Sequence, residues 1–533
     1  MNFHSLREVT MKKHFSIFFF IFSFLILAGC DDTFPAEVIS EEPVKLEWYV
    51  NFSWYNTPWG GNAVSKVITE KTGADISFIS PDGSESETLD ALISGNSLPD
   101  IITLCWWETQ LSVIIDRGLV FPLNRLAEEY DEYFFEVADP DRLAWYTQED
   151  GNVYCYPNSS FSIKDYESGQ GAVSNQTFLV RKDIYEAIGS PNMTTAEGFE
   201  NAVRAAAEAF PEVDGKPLIP VGAHEFTTIG CDSFDKFLMN FLAVPYEKNG
   251  EFYDRYTDPE YKRWLSMFRK LGEEGLLSSD IFIDKRTQME EKIKDGRYFC
   301  MIYQRTDIAD IERLIYEADP DSVYIAVDGP RNESGDPHTL PGTGINGWTV
   351  TLISKNCEHP DLAIKLMSYL MSEEGQKLIA LGIEGEHYNM ENGRAVLTEE
   401  TKKLLGENRL GYIETVGAND SYWMLQDNRM QNKWMPKDVP PLVQMEEWAK
   451  PYTFYSGQCD VRFIPGTEEY AAHQRISSIH GEMLPKLLLA PSEEEFEELW
   501  DIYVQKREDG GLALVLEEST KQMNALKARL GIS

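Results

Sequence analysis

The fold is decided by residues 45–104, where three apolar segments alternate with two helical ones. The apolar segments are KLEWYV at 45–50, ADISFI at 74–79 and IITL at 101–104. The first two alternate apolar and polar residues, as half-buried strands do, and the third is the unbroken apolar run of a fully buried strand. Residues 62–72 and 87–94 have helical patterns, and each ends at a glycine. Strands that alternate with helices predict an α/β fold with parallel strands and right-handed crossovers.

The alternation continues along the rest of the chain. We expect strands at 177–181, 298–303 and 348–353, and helices at 182–188 and 360–371. From about residue 398 the pattern is mostly helical, most clearly at 493–506 and 518–530. A chain of 533 residues exceeds one typical domain, so two large lobes are expected.

The N-terminus predicts export and lipid attachment. Two lysines precede an apolar run at 15–27, and the sequence Leu-Ala-Gly-Cys ends at Cys30. A positive segment, a short apolar segment and small residues at a cleavage point are typical of a secretory signal peptide. Because this ending resembles a bacterial lipobox, we predict a signal peptide at 1–29 and an acidic tether at 30–44. Acyl chains on Cys30 would anchor the protein at the extracellular face of the cell membrane.

Charge and cysteine content limit the possible partners. The formal net charge of −40 should repel phosphate backbones, so we expect no nucleic-acid partner. The same charge suggests a neutral or cationic ligand, unless local basic residues offset it. No Cys-x-x-Cys or Cys/His zinc spacing occurs, so we predict no metal site of that kind. Disulfides and buried thiols are both open for the remaining cysteines, which are Cys105, Cys155, Cys231, Cys300, Cys357 and Cys459.

A series of short landmarks, in a fixed order, covers nearly all of the chain after the tether. They are VITEKTG at 67–73, LISGNSLPDII at 92–102, DRGLVFPL at 116–123, GNVYCYP at 151–157, FLVRKD at 178–183, MSYLMSEEG at 367–375 and GIEGEHY at 382–388. In this order, behind a lipobox, they resemble the extracellular solute-binding lipoproteins of carbohydrate-type ABC importers. The resemblance is to family 1 of these proteins, and within it to the large lipoprotein subgroup.

That resemblance implies a two-lobed periplasmic-binding-protein-like fold of class II type. Each lobe would have a mostly parallel sheet flanked by helices, and the C-terminal region would be helical. The implied division is 45–175 and 330–397 for lobe 1, and 176–329 and 398–533 for lobe 2. A sugar, most simply an oligosaccharide, would bind between the lobes, close the hinge and be delivered to the permease subunits of an ABC importer. No cofactor is implied, and because the D-x-[DN]-x-[DN]-G pattern is absent we predict no calcium.

Aromatic residues near the ends of the first and third strands are candidate ligand contacts. Sugars present flat apolar faces and a rim of hydroxyls, which aromatic rings and planar polar groups match. Ligands in open α/β sheets lie beyond the carboxyl ends of strands. These considerations select one set of candidates: Trp54, Tyr55, Trp59, Trp106, Trp107 and Glu108. The two adjacent tryptophans point in different directions, so at most one of them should line the cleft.

Two later strands supply the remaining candidates. Tyr303 and Arg305 lie at the carboxyl end of the strand that begins at residue 298. Asn346 and Trp348 lie in or next to a G-x-G-x-x-G sequence, which precedes a strand and therefore fails as a dinucleotide motif. We interpret it as a flexible loop beside the cleft. Trp145, Tyr146 and Trp423 are explained more simply as core aromatics.

Two other functions compete with ligand capture for transport. The sequence has no G-x-S-x-G, H-E-x-x-H or G-x-x-x-x-G-K-[ST] motif, so no enzyme is predicted. A glycosidase uses a carboxylate pair that is close in space and not in sequence, so a secreted glycan-degrading enzyme is one alternative. A surface adhesin without a transport partner is the other. A solute-binding protein should compact on a small ligand, whereas an adhesin should not.

Overall fold

The computed structural model describes residues 42–532, except for the side chains of two residues in the last third of the chain. Cys30, the signal peptide at 1–29 and most of the tether at 30–44 lie outside the described residues. Within residues 42–532, no helix is long and apolar enough to span a membrane.

Two large sheets organise the described part of the chain. Their strands, in chain order, are β1 (Val44–Val50), β2 (Ala74–Ile79), β3 (Ile101–Cys105), β4 (Tyr156–Pro157), β5 (Gln176–Arg181), β6 (Ile219–Gly222), β7 (Tyr298–Gln304), β8 (Tyr324–Ala326) and β9 (Thr349–Ile353). The first sheet has the order β2-β1-β3-β9-β4, and the second has the order β8-β5-β7-β6.

Helices surround both sheets. They are α1 (Ala63–Thr72), α2 (Glu85–Ser94), α3 (Gln110–Asp116), α4 (Leu123–Tyr130), α5 (Phe134–Val137), α6 (Pro140–Tyr146), α7 (Ile163–Glu167), α8 (Lys182–Ala187), α9 (Ala196–Ala209), α10 (Leu238–Phe241), α11 (Pro259–Glu273), α12 (Arg286–Lys294), α13 (Arg305–Ala318), α14 (Pro360–Met371), α15 (Glu373–Leu381), α16 (Glu399–Glu407), α17 (Arg409–Thr415), α18 (Asn428–Gln431), α19 (Pro440–Ala449), α20 (Glu468–Leu488), α21 (Glu493–Asp509) and α22 (Leu512–Leu530). The mostly helical C-terminal region is confirmed.

The two-sheet α/β architecture with mostly parallel strands is confirmed, and in each sheet one strand runs against the others: β9 in the first sheet and β5 in the second. β1 pairs in parallel with β2 and β3, as the intervening helices α1 and α2 require. β9 is antiparallel to β3 and to β4, because it reaches this sheet from the other lobe and not through a local helical crossover. In the second sheet β7 is parallel to β6, whereas the pairs β7–β5 and β8–β5 are antiparallel.

Local sequence explains why the first crossover forms where it does. The side chain of Asn62 accepts a hydrogen bond from the Ser65 backbone N–H and caps the first turn of α1. The helix ends at Gly73, whose φ of 79° is left-handed and favours glycine. The apolar faces of β1 then separate by alternation. Trp48 packs on one side of the sheet, and Tyr49 packs in the core on the other.

Each sheet has its own core, and the last third of the chain contributes to both. Tyr412 and residues 422–425 pack in the same core as Trp48 of the first sheet. Leu442 packs with the second sheet. The predicted lobe boundaries stay predictions, and these contacts favour a last crossing after residue 425 rather than at residue 397.

Candidate functional site

The edge of the first sheet where β1 and β3 end faces the second sheet. β4 ends at this edge, and the chain continues from it into β5 of the second sheet. At the facing edge, α13 begins directly after β7, and its Asp310 forms an ion pair with Arg409 of α17. Because Tyr412 of α17 packs in the core of the first sheet, this ion pair joins the two lobes. We interpret the loops at these two edges as the walls of one candidate cleft.

Four aromatic rings form a continuous surface on the first wall. We call Phe52, Trp54, Trp348 and Trp423 the aromatic platform. The rings of Trp348 and Trp423 stack with centroids 4.6 Å apart, and Phe52 lies 5.4 Å from Trp348. Trp54 lies 5.8 Å from Trp423 and is 57% exposed. Trp423 is buried beneath them, so the platform offers exposed ring faces on a rigid base.

Glycine explains how Trp348 reaches the platform. Gly347 has a φ of 75°, and a Cβ there would lie 2.2 Å from the backbone oxygen of Asn158. Its N–H donates to the Gly344 carbonyl at 3.2 Å. The G-x-G-x-x-G sequence is thus a tight turn that only glycine permits, rather than the flexible loop we expected.

Asn346, in the same turn, is buried, and both its amide oxygen and its amide nitrogen form hydrogen bonds within the protein. Its Oδ1 accepts from Trp145 Nε1 at 2.8 Å, and its Nδ2 donates to Asp460 Oδ2 at 3.0 Å. Burial raises the pKa of Asp460 to about 6, and the hydrogen bond from Asn346 opposes this shift. Asn346 therefore ties the turn to the segment before α20, which argues against a direct ligand contact.

The segment after β3 carries one exposed ring. Trp107 is 47% exposed, and the ring of Trp106 lies nearly perpendicular to it with centroids 5.7 Å apart. Glu108 turns inward, where it accepts hydrogen bonds from Asn51 Nδ2 at 2.5 Å and from the Cys105 N–H at 2.9 Å. Burial raises the pKa of Glu108, while these hydrogen bonds oppose the shift. Glu108 thus holds together the ends of β1 and β3, and Trp107 is the residue of this group that can contact a ligand.

Two of the predicted aromatic contacts brace the platform instead of extending it. Tyr55 is buried, and its hydroxyl donates to the Ser421 carbonyl at 2.9 Å. Trp59 donates from Nε1 to Thr69 Oγ1 at 3.3 Å and packs edge-on against Tyr422 at 5.1 Å. Both side chains are engaged within the first lobe, which argues against direct ligand contact.

The wall from the second sheet is polar. His224 follows β6, and its Nε2 lies 3.6 Å from Asp307 Oδ2. Arg286 starts α12, with its Nη2 3.5 Å from Asp307 Oδ1 and its Nε 2.9 Å from Glu290 Oε1. Glu225 accepts a hydrogen bond from the backbone N–H of Arg286 at 3.0 Å. The sequence analysis missed this group, because β6 is only four residues long and includes a proline.

Tyr303 and Arg305 lie beside this polar group, at the carboxyl end of β7. Tyr303 is fully buried, and its ring centroid is 5.2 Å from that of His224. Arg305 Nη1 lies 3.6 Å from Glu446 Oε2. Burial lowers the pKa of Arg305, and Glu446 opposes that effect. In the described part of the chain, neither the Tyr303 hydroxyl nor Arg305 Nε has a hydrogen-bond partner. Burial argues against a direct ligand contact by Tyr303 but leaves Arg305 a candidate.

The model of one family, bacterial extracellular solute-binding proteins, matches residues 63–383. The chain belongs to this family. The matched range includes β2–β9, the polar group of the second wall from His224 to Asp307, and Trp348 of the aromatic platform. The other platform residues, Phe52, Trp54 and Trp423, lie outside it. The family consists of binding proteins, in agreement with the expectation from the sequence landmarks.

Individual relatives of this solute-binding protein support the same assignment. Lipoprotein LipO of Bacillus subtilis is 19% identical over 78% of this chain and 82% of its own. The polygalacturonan/rhamnogalacturonan-binding protein YtcQ of the same organism is 21% identical over 71% of this chain and 74% of its own. The Streptococcus pneumoniae ABC-transporter substrate-binding protein FusA, solved with kestose, superposes with a TM-score of 0.69. It is 15% identical, over 91% of this chain and all of that one. At this identity the superposition shows the two-lobed fold.

The sequence left open whether the six remaining cysteines form disulfides or are buried thiols, and the structure distinguishes these alternatives. Within residues 42–532, Cys105, Cys155, Cys231, Cys300, Cys357 and Cys459 are all free thiols. Burial raises the pKa of each of them, so they stay protonated and unreactive.

Residues 213–216, Val-Asp-Gly-Lys, are at best a remnant of the absent calcium-loop pattern, and in this solute-binding protein they form a hairpin turn. Val213 pairs with Lys216, and both central residues have positive φ, 50° at Asp214 and 75° at Gly215. Among the described residues, no three His, Cys, Asp or Glu side chains are arranged to bind a metal ion. The absence of calcium stays a prediction.

Proposed function

We propose that this solute-binding protein captures an oligosaccharide between its two lobes, closes on it and delivers it to an ABC importer. The observation that carries the proposal is the aromatic platform, which faces a polar wall across one cleft. Trp54 and Trp107 expose ring faces on one side, and Arg305 offers a donor on the other.

Carbohydrate chemistry fits these two walls. A sugar ring has apolar C–H faces that stack on aromatic rings and a rim of hydroxyls that hydrogen-bond with planar polar groups. Several exposed rings in a row suit several sugar units. YtcQ and FusA are named for carbohydrate ligands, which supports the same class for this chain.

Closure follows from the way the walls are divided. The platform belongs to the first lobe, and His224 and Arg305 belong to the second, so a ligand that touches both is bound fully only when the lobes approach. Such a ligand stabilises the closed form by its differential affinity. The ion pair between Asp310 and Arg409 already joins the lobes at one side of the cleft.

Attachment to the membrane is the second part of the proposal. We infer that Cys30 is the lipidated residue, on the basis of the Leu-Ala-Gly-Cys sequence that precedes a short tether. LipO is named a lipoprotein, which supports this inference. Metabolic labelling with an alkyne fatty acid should label the full chain, and the label should be lost in Cys30→Ala.

One binding experiment separates this function from its alternatives. The fragment from residue 31 is screened by thermal shift against neutral and acidic oligosaccharides, followed by small-angle scattering and recovery of the sugar. We expect a selective rise in melting temperature, a smaller radius of gyration and an unaltered sugar. Trp107→Ala should reduce the shift, whereas Trp59→Phe, which changes a braced ring, should not. Recovery of a cleaved sugar would establish a glycan-degrading enzyme, and binding of a polymer without compaction would establish an adhesin.

A further inference from the structure

The loops that form the first wall of the cleft contain no basic residue. No Lys, Arg or His occurs in the segments 51–62, 106–109, 342–348 and 419–427. Three basic residues in the neighbouring segments that cross between the lobes are already paired with carboxylates: Lys164 with Asp141, Arg331 with Asp328, and Arg429 with Asp139 and Asp165. A ligand carboxylate placed on the aromatic platform would therefore meet no cation on this wall.

The cations of the second wall are already compensated by carboxylates. Asp307 lies 3.6 Å from His224 Nε2 and 3.5 Å from Arg286 Nη2. Arg286 also pairs with Glu290 at 2.9 Å. Arg305 has Glu446 at 3.6 Å. A ligand carboxylate near these groups would meet Asp307 and Glu446 as well as the cations, and like charges at short range oppose binding.

Two nearby cations have no carboxylate among the described ion pairs, and both lie behind the first wall. Arg529 lies over the ring of Trp145, which packs in the same core as Tyr146. The other is Arg462. Its Nη1 donates to the carbonyl of Trp106 at 2.9 Å. Its charge interacts with Tyr146, Cys155 and the carboxylate of Asp116. Tyr146 and Cys155 pack on the opposite face of the sheet from Trp423. Arg462 therefore faces away from the aromatic platform.

We propose that the cleft selects uncharged oligosaccharides and rejects those that carry uronic acid carboxylates. This inference rests on the proposed function and adds the charge class of the ligand. The net charge of −40 acts in the same direction at longer range. Specificity of this kind comes from an unfavourable interaction with the wrong ligand as much as from contacts with the right one.

A matched set of three ligands tests the inference. The neutral oligosaccharide that binds best is oxidised at C6 to its uronate form, and part of that product is converted to the methyl ester. By titration calorimetry at low salt, we expect the ester to bind like the parent and the uronate to bind at least about tenfold more weakly. The difference should shrink as salt is added, because exposed charges are screened beyond about 10 Å at 0.1 M.

Each other outcome has a distinct meaning. A uronate that binds as tightly as the parent would overturn the charge inference and leave the proposed function intact. An ester as weak as the uronate would also overturn it, because size and not charge would then be the cause. If no carbohydrate binds, the proposed function itself fails, and the inference fails with it.

Variants of the second wall supply an independent test. Asp307→Asn and Glu446→Gln each remove a compensating carboxylate, so each should increase the affinity for the uronate about tenfold at low salt. The control is Glu497→Gln, which removes the same charge from α21, where Glu497 pairs with Lys262. We expect less than about a twofold change there. Equal gains in all three variants would mean that only net charge matters and would overturn a role for the cleft wall.

Discussion

Replacement of Trp54 by alanine should separate binding from folding. The side chain is 57% exposed in the free protein, and a tryptophan presents at most about 250 Å². About 140 Å² is therefore open to a ligand. A sugar that covers half of this area would remove about 70 Å² of ring from water, which at ~25 cal/mol per Å² is about 2 kcal/mol. We expect Trp54→Ala to weaken oligosaccharide binding about 30-fold.

Stability should respond differently from affinity. Because most of the Trp54 side chain is already in water, its removal deletes few contacts. They are tilted ring contacts with Phe52 and Trp423 at 5.1 and 5.8 Å and an edge contact with Tyr55 at 6.2 Å. We expect a loss of about 1 kcal/mol or less in the free energy of unfolding. Trp59→Ala is the opposite case, since Trp59 packs within the lobe: it should lower the melting temperature and leave the affinity of the folded protein unchanged.

The assay is titration calorimetry at a temperature at which both variants are folded, with thermal unfolding of the free proteins alongside. A Trp54→Ala protein that binds within threefold of the parent would refute the reasoning, because the exposed ring would then not be part of the site. A large loss of stability in the same variant would show that the ring is structural and that the area estimate does not apply.

Three further predictions concern pH, backbone geometry and closure. Burial raises the pKa of Glu312 from 4.5 to about 8. Between these two pH values the carboxyl is protonated in the folded protein and ionised in the unfolded protein. The free energy of unfolding therefore decreases as the pH rises from about 4.5 to 8. Glu312→Gln should therefore raise the melting temperature at pH 8, and the gain should vanish near pH 4. Gly347→Ala should lower stability by about 2 kcal/mol or more in chemical denaturation, because its Cβ would collide with the Asn158 carbonyl. Arg409→Gln breaks the ion pair with Asp310, in which both side chains are more than a third exposed. Exposed ion pairs contribute little free energy, so ligand affinity should fall no more than about fivefold. Small-angle scattering of the ligand-free variant should show a larger radius of gyration than that of the parent protein.

Local pattern was enough to predict the first sheet up to its third strand. Each of the elements from β1 to β3 shows its own periodicity, and the helices between them carry their own stop signals. The direction of β9 could not be predicted in this way, because it depends on where the chain returns from the second lobe. Pairing partners separated by more than 200 residues leave no local trace in sequence.

The candidate site was predicted in part, and the failures have one physical cause. Trp54 and Trp107 lie on the cleft wall because they follow the ends of β1 and β3. Trp348 lies there because it precedes β9, which is antiparallel to β3 and so begins at the same edge. Whether a particular side chain stays free depends on distant partners. Glu108 meets Asn51 across 57 positions, and Tyr55 meets Ser421 across 366.

Trp423 is a side chain that contributes to the candidate site although it is not exposed to a ligand. We interpreted it as a core aromatic, and it is buried, yet it is the ring on which the exposed members of the platform rest. A sugar that stacks on Trp348 therefore gains from a surface that Trp423 holds in place at 4.6 Å, without any contact to Trp423 itself. The proposed selectivity for uncharged ligands depends on supporting residues in the same way. The charge that a ligand meets at the second wall is determined by Asp307 and Glu446, because these carboxylates compensate the cations beside them.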